Sequence, residues 1–375
     1  MKNEYCHEKS RYPLFLHVYF TAKSNSEKDE MMSRRGITEK QATEGNVKKA
    51  LGIVAFCILF IPFSGCEKDP GKSNPEHILR FGHIANENDI WHQAAVRFAE
   101  EVENRSDGRI EVRVYPNEQV GGERDMIISI LTGSLDMTIT GESLLNWSVP
   151  NAVLIATPYA IRDSDHLRKI ADGPIGEAIA DQVLEVTGLR PVAWFERGAR
   201  NLTSNRPVTH PDDLQGMTIR VPDVSMFVAA WSALGARPTP MAFSEVFTAL
   251  QQTTIHAQEN PLALIRSAGF YEVQDYVNLT EHVKGWIYVV IGDEQLQSLP
   301  GDLQRIVKES AEAMQAYQHE LYLEQLEKDF VFLKEQGMTF VEVDKEAFEE
   351  RVRAAVRQSL SGEAERLYHQ MLEMN

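Results

Sequence analysis

The chain is poor in cysteine: its only three are Cys6, Cys57 and Cys66, and none lies beyond position 66. A body without cysteine has no disulfide, no thiolate nucleophile and no cysteine-based metal site. Long apolar runs are also missing. The longest, Ala50 to Phe63, holds about 14 residues, too few to span a bilayer comfortably. Positive charge is scarce, with 38 Lys and Arg against 55 Asp and Glu, a formal net charge of -17. That balance argues against binding nucleic acid by general electrostatics, although a small anion can still find a locally basic site. There is no Gly-rich phosphate loop followed by Lys-Ser/Thr, and no strand-Gly-x-Gly-x-x-Gly-helix, so no nucleotide cofactor is expected. A Gly-x-Ser-x-Gly elbow and a His-Glu-x-x-His zinc helix are absent too, so neither metal nor cofactor is expected.

What is present begins with a leader. Lys48 and Lys49 precede the apolar run, which ends in Phe63-Ser64-Gly65-Cys66. A basic pair before a short apolar stretch is the layout of a secretory signal. Small residues before a cysteine resemble a bacterial lipobox, which makes Cys66 the expected lipidation site. Phe63 stands where Leu is usual, and a plain cleaved signal or a buried first helix is the alternative. A leader of 65 residues is long. Met31 or Met32 as the start leaves a more ordinary one, with residues 1–30 untranslated. Beyond Cys66, Lys68 to Pro75 carries Pro70, Gly71, Ser73, Asn74 and Pro75, a short flexible tether over 66–75. The expected location is the periplasm or the outer face of the cytoplasmic membrane.

From Ile78 onward, strand-like and helix-like segments alternate. Ile110, Val112 and Val114 repeat every second residue, whereas Ala95, Phe98, Ala99 and Val102 follow helical spacing. Alternation of this kind predicts α/β layers with mostly parallel sheets. One helix is expected from about Ser164 to Val186. Another starts at Pro300 and reaches Glu335, about 36 residues or roughly 54 Å at 1.5 Å per residue, long enough to serve two domains. There is no internal repeat.

Arg220 is the most informative residue. It lies in Met217-Thr218-Ile219-Arg220-Val221-Pro222, a strand-like stretch, and parallel strands are usually covered on both faces. A guanidinium there keeps its charge and needs an anion, since leaving it unpaired costs several kcal/mol. A protein carboxylate is the plain answer; a ligand carboxylate held by two parallel N–H···O bonds is the functional one. Arg200, in Gly198-Ala199-Arg200-Asn201, reads by itself as an exposed surface arginine.

Several separated segments together closely resemble the solute-binding proteins of tripartite ATP-independent periplasmic (TRAP) transporters, nearest to the C4-dicarboxylate-binding branch. They are GGERDMIISILTGSLDM at Gly121–Met137, DLQGMTIRVP at Asp213–Pro222, LGARPTPMAFSEVFTALQQTTIHAQENP at Leu234–Pro261 and FYEVQDYVNLTEH at Phe270–His282. They occur in family order, and the resemblance covers about Ile78 to the C-terminus. It implies a periplasmic-binding-protein-like fold: two α/β domains joined by crossover strands and a long shared helix, with a ligand cleft between them. Domain one is expected at 76–197 with 286–325, domain two at 198–285 with 326–375. The resemblance implies that Arg220 makes the main salt bridge to a ligand carboxylate, that Arg200 and Asn260 are further contacts, and that Phe243 packs on the ligand. Without it, Phe243 reads as ordinary core and Asn260 as a cap before Pro261. Where the family has Asp-Gly before Gln-Glu-Asn-Pro, this chain has His256-Ala257, so the turn feeding Asn260 is expected to differ. From the other domain, His83, Asn86, Trp91, Glu142 and Trp147 are candidates for ligand-specific contacts, though each alone also reads as structural.

The expectation is therefore a binding subunit, not an enzyme. It captures a small organic acid, either a C4-dicarboxylate or a sugar acid such as a uronate, and hands it to integral membrane subunits. The alternatives are an exported α/β enzyme acting on sugar acids and a ligand-sensing subunit of a receptor.

Overall fold

The computed structural model describes residues 74–374; the leader, most of the tether and Cys66 lie outside the described residues. The chain opens with β1 (His77–Gly82) and α1 (Ile90–Arg105), followed by β2 (Ile110–Tyr115), α2 (Glu123–Leu131) and β3 (Met137–Thr140). Next come α3 (Ser164–Ala171), α4 (Pro174–Thr187), β4 (Leu189–Glu196), β5 (Arg200–Ser204) and β6 (Thr218–Val221). Then follow α5 (Ser225–Ala233), β7 (Arg237–Pro240), α6 (Val246–Gln251), β8 (Ala257–Pro261), α7 (Leu262–Ser267), β9 (Tyr276–Val283) and β10 (Trp286–Gly292). The chain closes with α8 (Asp293–Gln297), α9 (Gly301–Glu335), β11 (Thr339–Val341), α10 (Lys345–Gln358) and α11 (Gly362–Glu373).

Two sheets organise these elements, in the orders β2-β1-β3-β10-β4 and β11-β9-β5-β8-β6-β7. They are mixed rather than mostly parallel. In the first, β1 runs parallel to β2 and β3, but β10 is antiparallel to both β3 and β4. In the second, β5 is antiparallel to β8 and β9 while β6 is parallel to β7 and β8. The antiparallel strands are those next to the crossings: β4 leads into β5 three residues later, and β9 returns through β10. A strand that leaves one sheet for the other has no helix to turn it round, so it pairs against the return strand.

The local sequence explains the ends of the elements. Asp89 caps α1 by accepting the Trp91 N–H at 2.9 Å, and α1 buries Ala94, Ala95, Phe98 and Val102. The helix expected over Ser164–Val186 is two helices, because Pro174 cannot continue α3 and instead starts α4. Gly198 sits in the crossing from β4 to β5 with φ of +76°, and a Cβ there would lie 3.1 Å from the Tyr322 ring of α9. Only glycine allows both that backbone and that approach. Helix α9 has 35 residues; it packs on α1 and β4 from one sheet and on α7 from the other. Its length thus does what the sequence implied and ties both halves together.

Candidate ligand-binding site

The β4–β5 and β9–β10 crossings hold the two sheets side by side. A cavity of about 300 Å³ opens between them. From the second sheet it is lined by Arg200, Arg220, Phe243 and Asn260, and from the first by Glu123, Glu142, Asn146 and Trp147, with Arg197 at the crossing. Six of the nine ligand contacts expected from sequence therefore meet at one place.

Arg220 projects from β6, whose neighbours β7 and β8 both run parallel to it. It is 5% exposed. Its Nε and Nη2 donate to the Met241 carbonyl at 3.0 and 2.7 Å, and its guanidinium lies 5.8 Å from the centre of the Phe243 ring. No carboxylate pairs with it among the described residues. Burial pulls its pKa down to about 10, with the Glu259 charge opposing the fall. It stays charged at neutral pH, with one neutral acceptor and a cavity in front of it.

Arg200, on β5, contrasts with it. It is 2% exposed rather than a surface residue, and Glu259 of β8 holds it through Nε–Oε2 and Nη2–Oε1 contacts of 2.5 and 2.7 Å. Glu259 is 0% exposed and also meets His282 Nε2 at 2.9 Å. Burial by itself would raise the Glu259 pKa, but Arg200 and His282 outweigh it and hold the group at about 2. One edge of Arg200 is thus committed to the protein, whereas its Nη1 is buried without a partner.

Asn260 follows Glu259 on β8, and its Nδ2 donates to Gln258 Oε1 at 2.7 Å. Gln258 in turn donates to Thr203 Oγ1 at 2.9 Å. Residues Ala257–Pro261 form a continuous buried strand, and Ala257 has no positive φ. The His256-Ala257 departure therefore costs no strain. The β8–β5 ladder positions Asn260, not a glycine turn. Phe243 opens a short 3-10 turn and meets Phe270 edge-on at 5.9 Å.

On the opposite wall, both oxygens of Glu142 accept from Arg197 Nη1 at 2.7 Å. Burial would raise the Glu142 pKa, but Arg197 and Arg200 more than offset it and the net direction is down. Trp147 is partly buried beside it. The other three candidates lie elsewhere. His83 is 0% exposed and is not among the cavity-lining residues; its Nε2 meets His92 Nδ1 at 3.2 Å, and burial with the neighbouring His92 lowers its pKa to about 3. Trp91 is buried beneath Arg197, whose guanidinium lies 5.7 Å from its ring centre. Asn86 donates to the Ser267 carbonyl, joining the loop after β1 to α7 across the gap. Ser267 Oγ donates to Asp89 Oδ2 at 3.1 Å beside it. These two contacts fasten the halves together at the side of the cavity.

Sequence reading passed over Glu123, Asn146, Arg197 and Glu259. Asn146 reaches the other half, its Nδ2 donating to the Asp223 carbonyl at 2.5 Å. Glu259 had a visible signal, since it sits between Gln258 and Asn260 in a segment already singled out. Arg197, three positions before Arg200, had the same kind of signal. Glu123 and Asn146 had none, because an acidic residue in the first turn of a helix and a polar loop residue are commonplace.

Comparison with known proteins identifies a family. The model of bacterial extracellular solute-binding protein, family 7, matches residues 81–363. A solute-binding protein of Roseobacter denitrificans is 54% identical over 288 residues, 77% of this chain and 88% of its own. The crystal structure of that TRAP periplasmic solute-binding protein, which holds L-galactonate, has a TM-score of 0.78 at 51% identity, covering 80% of this chain and 100% of the other. The 2,3-diketo-L-gulonate-binding periplasmic protein of Escherichia coli is 34% identical over 74% of this chain and 85% of its own. A TRAP periplasmic solute-binding protein from Polaromonas, bound to D-erythronate, has a TM-score of 0.76 at 30% identity, covering 80% and 99%.

Proposed function

The chain belongs to family 7 of the bacterial extracellular solute-binding proteins, the substrate-binding subunits of TRAP transporters, which are not enzymes, and from this we propose that it captures a sugar acid for import. The observation that carries the reading is Arg220: a buried guanidinium with no carboxylate partner among the described residues, at the wall of a cavity between two lobes. The ligand carboxylate takes the place of the missing partner, gripped by the guanidinium fork, with Asn260 and Arg200 Nη1 beside it and Phe243 packed against the carbon chain. The lobes correspond to 76–197 with 286–325 and to 198–285 with 326–375, and closure about the two crossings buries the ligand. A sugar acid is favoured over a C4-dicarboxylate because Arg197 and Arg200 already hold Glu142 and Glu259. A second ligand carboxylate would meet arginines whose charge is already shared with a protein carboxylate, Arg124 at the exposed edge of the cavity excepted. The relatives named above that bind L-galactonate, D-erythronate and 2,3-diketo-L-gulonate, all hydroxylated acids with one carboxylate, support the same choice.

The decisive experiment is calorimetry of L-galactonate, D-galacturonate, D-erythronate and succinate on the wild type and on Arg220→Ala. The reading expects a hydroxy acid to bind without being turned over, and Arg220→Ala to lose at least about a hundredfold in affinity while still folding, since charge-assisted bonds contribute roughly 1.5–3 kcal/mol each. Unchanged binding by Arg220→Ala overturns it. Anchoring through a lipid on Cys66 belongs to the same proposal, supported by the Ser-Gly-Cys end of the apolar run. The mass of the protein recovered from membranes, compared with Cys66→Ala, tests it: no added lipid mass on the wild type refutes the anchor.

A further inference from the structure

A second cavity, of about 610 Å³, lies across α7 from the one that holds Arg220. Leu264 of α7 lines the first; Ala263, Arg266 and Ser267 line the second, and the two cavities share no lining residue. Both halves of the molecule build it. Asp89 and Gln93 come from the start of α1, which packs on β2 of the first sheet. Facing them are α7, which packs on β8 of the second sheet, and Asp329 and Phe332 of α9. The lining is acidic and aromatic. It holds three carboxylates, Asp89, Glu272 and Asp329, and one cation, Arg266. Arg266 is already engaged: its Nη1 donates to Asp329 Oδ1 at 3.0 Å, and its guanidinium lies 4.3 Å from the centre of the Phe332 ring. Asp89 has no such partner. It is 3% exposed and accepts from two neutral donors, the Trp91 N–H at 2.9 Å and the Ser267 hydroxyl at 3.1 Å, and it makes no ion pair among the described residues. Two further rings, Phe247 and Tyr271, stand half-buried on the wall, and Tyr271 meets Phe332 edge-on at 5.3 Å.

We propose that this second cavity binds a small organic ammonium ion, whose charge offsets Asp89 and whose carbon atoms rest on the Tyr271 and Phe247 rings, and that the bound ion favours closure of the lobes. Arg266 already shows the recognition in miniature, a cation held between a carboxylate and an aromatic face. An anion would meet three acids and an arginine whose charge is shared with Asp329. A hard divalent metal fits poorly, because it needs six or more oxygen ligands, and no group of three or more His, Cys, Asp or Glu among the described residues could hold one. The pKa directions agree: burial raises those of Asp89 and Asp329, against the hydrogen bonds they accept. The site goes beyond the sugar-acid reading, being a separate cavity for a charge of the other sign. Its coupling to that reading follows from its walls. They come from both lobes, so the ion binds fully only where the lobes are together, and the ion and the acid then each raise the other's affinity by the same factor.

The test is calorimetry at about pH 7.5, where Asp89 is ionised, and at constant ionic strength. Putrescine and choline are titrated into the wild type, with butane-1,4-diol as the uncharged counterpart of putrescine, each with and without a saturating acid. One equivalent of putrescine or choline should bind with a dissociation constant below about 10 mM, and the diol should not bind. Asp89→Asn keeps the cap on α1 but removes the charge, so it should weaken amine binding by at least about tenfold; Tyr271→Leu should weaken it about threefold. Melting temperature is the folding control for both. The amine should raise the affinity of the wild type for the acid it takes by at least about threefold, and Asp89→Asn should lose that gain. No amine binding by the folded wild type, equal binding of the diol, or full amine binding by Asp89→Asn overturns the site. Amine binding that leaves the acid's affinity unchanged overturns its link to closure. None of these results depends on Arg220, so the sugar-acid reading stands or falls separately.

Discussion

Arg200 and Arg220 sit on β5 and β6, on either side of the same strand, β8. Both are almost completely buried, yet they have opposite fates. Arg200 meets Glu259 from β8 with two hydrogen bonds to its carboxylate; among the described residues Arg220 hydrogen-bonds a backbone carbonyl and no carboxylate. Burial alone therefore does not mark a binding residue. A buried ion pair roughly balances its own desolvation, whereas a buried lone charge is a cost the fold carries until a ligand cancels it. The Arg200 region holds its counter-charge without ligand, with only Nη1 left over, whereas the Arg220 region lacks a counter-charge on the same strand order.

The sharpest way to break that contrast is to strip Arg200 of its partner. Glu259→Gln leaves one buried guanidinium without its counter-charge and should destabilise the free protein by about 3–5 kcal/mol in urea or thermal unfolding. Arg220→Ala should move the same measurement by far less, because no protein carboxylate is orphaned. The pH dependence carries the same sign. Glu259 has a folded pKa near 2, below its ordinary 4.5, so its contribution is complete above pH 4.5 and is lost as the pH falls toward 2. Equal losses from Glu259→Gln and Arg220→Ala would erase the distinction between scaffold and site.

A smaller effect separates charge from shape at Arg220. Arg220→Lys keeps a cation but loses the planar fork, so ligand affinity should drop about tenfold with folding intact. The methyl ester of the ligand, offered to the wild type, should fail as well. Full affinity in the lysine variant would mean that the site reads only charge.

The smallest effect concerns a second lone charge. Asp89 is buried where α1 meets Ser267, and burial raises its pKa to about 6; the Asp329 charge pushes the same way, while the Trp91 N–H and the Ser267 hydroxyl oppose it. Arg266 lies nearby but is paired with Asp329 at 3.0 Å. A carboxyl whose folded pKa is above its ordinary 3.8 favours the fold fully at low pH and loses that contribution as the pH rises through 6. Asp89→Asn, which can still cap α1, should gain about 1 kcal/mol over the wild type at pH 8 and nothing below pH 4. A stability difference that does not vary with pH would show that Asp89 acts only as a cap.

How much was legible beforehand follows the range of the interactions. Periodicity located the strands and the long α9, since side-chain alternation and helical spacing are local. It failed at Pro174, where a proline that breaks one helix starts another, and in the sheets, where the antiparallel crossings were not visible. In the site, Arg220, Asn260 and Phe243 were legible because they sit in contiguous motifs. His83 and Trp91 were not separable from Glu142 and Trp147, as all four follow strand ends and only packing takes the first two away from the cavity wall.

The sequence by itself determined the alternation of strands and helices, the absence of cofactor motifs, and a charged arginine in a strand that had to be covered. Tertiary structure decided which charges cancel. Glu259 meets Arg200 because β8 lies between β5 and β6, and Glu142 meets Arg197 because they follow β3 and β4, which flank β10 in the first sheet. Coulomb energy and desolvation depend on distance and burial, and neither is a property of a position along the chain.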